Sequence, residues 1–148
     1  MPLKRVENWG GSSGALQVFL ASRTKAPFAW GSNDCALFAA DAVLAITGTD
    51  IAEDFRGKYS DEAGAFALIA GVTGGKTVGD AAAWCAQKAG LAELEHRLTA
   101  QRGDLVVIPD SGRLIAGVVH LSGRHIVSVG EDGLKRFPIM DVLRAWRV

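Results

Sequence analysis

Cys35 is the residue in this chain best placed to do chemistry. It lies in Pro27-Phe28-Ala29-Trp30-Gly31-Ser32-Asn33-Asp34-Cys35-Ala36-Leu37-Phe38, where a loop punctuated by proline and glycine runs into an apolar helical pattern. Asn33 or Asp34 can cap that helix, its side-chain oxygen accepting a free backbone N–H of the first turn. The positive end of the helix macrodipole then lies under Cys35 and favours its thiolate. A nucleophilic cysteine also needs a base, and the chain has three histidines, His96, His120 and His125. None has metal-site spacing with Cys35 or Cys85, so no metal and no cofactor is expected. His96 stands beside Glu93, Glu95 and Arg97 and reads as solvated surface. Cys85, beside Trp84, reads as a small core residue.

These residues need elements to position them. Leu16, Phe19 and Leu20 mark an amphipathic helix over 14–25, with Gly10-Gly11-Ser12-Ser13 supplying its cap. From Asp34 to about Thr47 apolar residues crowd nearly every face, which predicts a central, buried helix, and Gly48 suits the position just past its end. Asp54 to Tyr59 forms a turn with an aromatic residue at each side. Ser60 opens a third helix at about 61–70, Gly71 to Lys76 forms a loop, and Thr77 caps a fourth helix reaching about Gly90. Gly71-Val72-Thr73-Gly74-Gly75-Lys76-Thr77 imitates a phosphate-binding loop, but it is one residue short and follows a helix instead of a strand.

After Gly103 the period becomes extended. Asp104–Pro109, Leu114–His120, Arg124–Val129 and Leu134–Phe137 read as four strands joined by short turns, and 138–148 as a short helix with a packed tail. Helices followed by an antiparallel meander predict an α+β fold, one domain spanning 1–148. With 148 residues, such a chain can bury roughly 70% of its extended-chain surface.

Composition narrows the function. Sixteen Lys plus Arg balance sixteen Asp plus Glu, so nothing favours nucleic acid or an anionic membrane as partner. No apolar run is long enough for a membrane span, and Met1 to Trp9 has no apolar core of a secretory signal. The two cysteines are then expected to stay reduced in a cytosol.

The segment Ala26-Pro27-Phe28-Ala29-Trp30-Gly31, followed by Asp34-Cys35, resembles the nucleophile motif of the NlpC family of papain-like peptidases, which cleave peptide stems of peptidoglycan. Gly103-Asp104-Leu105-Val106 resembles that family's Gly-Asp-Leu strand, and Gly117-Val118-Val119 its next strand. Over roughly residues 14–148, including Phe55-Arg56-Gly57-Lys58-Tyr59 and Val129-Gly130-Glu131-Asp132-Gly133-Leu134, the chain is closer still to short phage and prophage tail-module proteins of unassigned function that look like an NlpC offshoot. The resemblance implies a papain-like fold, with the Cys35 helix packed on a C-terminal antiparallel sheet. It also implies Cys35 as nucleophile, a bacterial cytoplasmic origin, a place in the virion tail, and other tail proteins or cell-wall peptides as partners.

The departures shape the functional expectation. Phe28 replaces the motif tyrosine, and Ala36-Leu37 replaces Ser-Gly after the cysteine. Counting back from Gly117 puts Ile115 where the peptidases carry their catalytic histidine, and the third, orienting residue falls near Val127. An isoleucine takes no proton. Strand alternation puts His120 on the face opposite Ile115, while His125 shares the parity of Val127 and is the substitute base, with Asp34 as helix cap. A tail component with a degenerate site is the leading expectation. An active cysteine endopeptidase or amidase using Cys35 and His125 is the alternative.

Overall fold

The computed structural model describes residues 3–148. Four helices, α1 (Ala15–Arg23), α2 (Cys35–Thr47), α3 (Glu62–Thr73) and α4 (Val78–Lys88), precede five strands, β1 (Leu105–Asp110), β2 (Arg113–Val119), β3 (His125–Gly130), β4 (Gly133–Pro138) and β5 (Arg144–Trp146). The sheet order is β4-β3-β2-β1-β5 and every pairing is antiparallel. The fold is therefore α+β, as the change of period predicts. No helix among the described residues is long and apolar enough to cross a membrane.

Helix α2 is central, as expected. Leu37, Phe38, Ala39, Ala42, Val43 and Ile46 are fully buried, and Gly48 closes the helix with a left-handed φ of 78°. Its one charged residue, Asp41, is neutralised by Arg23 and Arg56, each at 2.7 Å. The sheet face toward the helices carries Leu105, Val107, Ala116, Val118, Val127 and Val129. The opposite face, with Val106, Ile108, Val119, Ile126 and Phe137, is covered by Leu94, Ala100, Val142 and Ile139.

Several local expectations are corrected. Gly14, not a serine, precedes α1 and gives no side-chain cap. Asp61 caps α3 in place of Ser60, and Gly71-Val72-Thr73 forms the last turn of that helix, not a loop. Thr77 does cap α4, in a full capping box with Asp80. The tail holds only a 3-10 turn at Ile139–Asp141, and Arg144–Trp146 adds a strand to β1, where a helix was expected. Trp146 is buried at that edge.

Asp104 ties the two ends of the described chain together. Fully buried, it accepts from Arg5 Nη2 at 3.1 Å, from the Gln101 amide at 2.9 Å and from the Val148 amide at 3.1 Å. Arg147 Nε lies 3.2 Å from Oδ2 as an ion pair without hydrogen-bond alignment.

Candidate functional site

The loop before α2 is held from both sides. Asn33 Nδ2 donates to the carbonyls of Ala26 and Pro27, and Arg23 Nη1 donates to Asn33 Oδ1 at 2.9 Å. The Phe28 amide donates to Gly130 at the end of β3. At Gly31 φ is 81°, and a Cβ there would sit 2.2 Å from the Tyr59 carbonyl oxygen, so only glycine fits this close approach.

Asp34 is the N-cap, and Asn33 is not. Its Oδ1 accepts from the Leu37 amide at 2.9 Å, while Oδ2 accepts from the Gly31 amide at 2.9 Å and from the Tyr59 hydroxyl. The carboxylate is only 2% exposed, and these bonds offset the cost of burying it. The phenol of Tyr59 is pushed above its ordinary value, by burial first and then by its bond to Asp34. It stays protonated and serves as a donor.

Cys35 opens α2 but is 7% exposed. It lies between two spaces. One is an apolar cavity of about 50 Å³ among α2, α3 and α4, lined by Trp30, Tyr59, Phe66, several alanines and Cys85. The other is an open groove of about 670 Å³ lined by Phe28, Ile115, Val129, Leu134, Asp110, Glu131, Asp132 and Lys135. Neither space is lined by a histidine.

Burial works against the helix-stabilised thiolate expected at Cys35. Burial pushes the Cys35 thiol up to about 11; hydrogen bonding from the Ala116 backbone pulls it down, and the Asp34 carboxylate pushes it up again. The net rise above the ordinary thiol value is worth roughly 2 to 3 kcal/mol against the thiolate, whereas a helix terminus supplies about 0.3–1 kcal/mol in its favour. Desolvation wins. Cys85, free and buried, is pushed up to about 12 by burial and by the nearby Asp54 and Asp50.

The structure does not bring His125 to Cys35. Cys35 packs beside Ala116, two residues before Val118, and Val118 pairs with Val127. His125 lies two residues from Val127 in the other direction, so about four residues or roughly 13 Å separate the two levels along the sheet. Its Nδ1 is 2.8 Å from Ser122 Oγ, and its ring faces His120 at 5.8 Å between centroids. His120, expected on the face away from the site, follows the parity of Ala116 and Val118 and so stands on the α2 side, at the same far end as His125. His96 is exposed. Ile115, half-buried, shares the groove with Cys35. No cluster of three or more His, Cys, Asp or Glu able to hold a metal occurs among the described residues.

Residues 4–148 match the family described as Domain of unknown function (DUF6950). The chain belongs to that family. No curated protein and no solved structure matches it.

In this DUF6950 domain the residue that sequence patterning missed is Tyr59. It reads from the sequence as an aromatic anchor of the 54–59 turn, yet its hydroxyl sits on Asp34 and its ring lines the cavity next to Cys35. The only signal was that Tyr59 is the single tyrosine in the chain and the motif position carries Phe28.

Proposed function

We propose that this chain is a phage or prophage tail component, used at the tail tip or in its assembly, whose NlpC-type papain-like domain acts through protein–protein contacts and lacks peptidase chemistry. One observation carries the loss of chemistry. The groove over Cys35 is lined by Ile115, which stands where the peptidases it resembles have their histidine, and by no imidazole. The buried, neutral thiol supports the same reading. Amide hydrolysis needs a group to take the thiol proton and return it to the leaving amine, and such help is worth typically 10²–10⁴-fold.

The order of elements supports the papain-like assignment: a cysteine at the head of a central helix, then an antiparallel sheet opened by Gly103-Asp104-Leu105. The tail assignment rests on the resemblance over residues 14–148. The test is a Cys35→Ser variant in the producing phage, together with co-purification of the wild-type protein and the products of its genomic neighbours. Infectious particles and co-assembly are expected. Cleavage of peptidoglycan stem peptides that disappears in Cys35→Ser would establish the active endopeptidase or amidase instead.

A further inference from the structure

The turn between β2 and β3 assembles groups that the Cys35 site does not use. His120 Nδ1 accepts from the Ser122 amide at 3.0 Å. That bond places the proton of the neutral ring on Nε2, which makes His120 a donor and disqualifies it as a metal ligand through that nitrogen. Ser122 Oγ accepts from the Arg124 amide at 3.1 Å, leaving its hydroxyl proton free to donate to His125 Nδ1 at 2.8 Å. In the tautomer that accepts this proton, the second ring also presents Nε2–H. One serine fixes both imidazoles by the same nitrogen.

Cations surround this pair. Arg136, paired with Val127 on β4, has the same face parity as His125, and its charge acts on His120. Arg124 belongs to the turn, and the Arg102 stem passes 3.9 Å from where a Cβ on Gly123 would lie, with its guanidinium over the Trp9 ring at 5.6 Å. Of the sixteen Lys and Arg side chains eight are ion-paired among the described residues, and Arg102, Arg124 and Arg136 are among those that are not. In a chain of zero formal net charge, the turn is a local excess of donors and positive charge.

We propose that the β2–β3 turn is a binding site for a phosphate-type oxyanion, held by the Nε2–H groups of His120 and His125 and by the Arg136 guanidinium. Paired ring N–H donors with a guanidinium match the several acceptor oxygens of such an anion. His120 is held below its ordinary value by burial first and then by Arg136 and His125. A bound anion reverses the last two effects. Binding tightens as pH falls, because protonation of His120 adds positive charge beside Arg136.

The test is an NMR titration of the histidine rings of the full chain with inorganic phosphate, against chloride at matched ionic strength. Saturable shifts of His120 and His125 that chloride does not reproduce, with a rise in the His120 pKa, are expected. Arg136→Ala weakens binding about tenfold and Ser122→Ala weakens it by freeing the His125 ring while the backbone amide still holds His120, whereas Arg113→Ala, on the ion-paired Arg113 at the start of β2, leaves it unchanged. Arg136 is exposed, so its removal tests binding and not folding. Glycerol phosphate as a second probe separates an esterified ligand, bound as well as phosphate, from free phosphate, bound better; either supports the site. Equal shifts with chloride, or wild-type affinity in Arg136→Ala, would overturn it.

Discussion

The Tyr59 hydroxyl donates to Asp34, and the other oxygen of that carboxylate caps the helix that begins at Cys35. A residue 25 positions away thus holds the cap in place, and it stands where a phenol can reach the site although position 28 is phenylalanine. Tyr59→Phe leaves the buried carboxylate short of one donor and is expected to cost about 1–3 kcal/mol. Asp34→Ala removes the cap and also leaves the Gly31 amide and the Tyr59 hydroxyl unpaired, so it is expected to cost more. Urea unfolding of the two variants, with the double variant, checks this ordering and gives the coupling between them.

Ile115→His tests the groove itself. Ile115 and Cys35 both line the open groove, so an imidazole introduced at 115 has that space through which to act on the thiol. Its cation favours the thiolate, and alkylation of Cys35 is expected to begin at lower pH than in the wild type by about one pH unit or more. An unchanged profile would show that position 115 does not address Cys35.

Asp104 links Arg5 with Arg147 and the Val148 amide. Asp104→Ala strands those groups and is expected to cost about 3–5 kcal/mol, with faster amide exchange at Val6 and Val148. Burial holds the Asp104 carboxyl above its ordinary value, although the backbone donors and both arginines pull it down. A carboxyl raised in the folded state contributes fully below its unfolded value, near 3.9, and loses that contribution as pH rises through the folded value. Wild-type stability should therefore fall relative to Asp104→Asn as pH is raised across the carboxyl range. A relative gain would mean that the arginines outweigh burial.

The head of α2 was legible because its signals are local. Asp34 before an apolar run and Gly48 after it specify the start and the stop of a 13-residue helix. The α+β order was legible from the change of period at Gly103. What depended on distant partners was not. Burial of Cys35 under the sheet decides its protonation, and no local pattern reports that. The Tyr59–Asp34 bond joins a turn to a helix cap across the chain. At the tail, Val142, Leu143 and Trp146 imitate the spacing of a helix face, but a three-residue strand is too short to show its own period, and pairing with β1 settles its form. His125 has the parity expected of it, and the register, which no sequence pattern states, puts it at the wrong end of the strand.

The central claim is that Cys35 is a neutral, buried thiol without a base. The pH dependence of iodoacetamide alkylation of the native protein, read at the Cys35 peptide by mass spectrometry so that Cys85 is separated, tests it most directly. The account predicts no appreciable modification below pH 9, a midpoint near the raised thiol value of about 11, and the same profile in His125→Ala. Rapid alkylation of Cys35 below pH 7, shifted by His125→Ala, would contradict it.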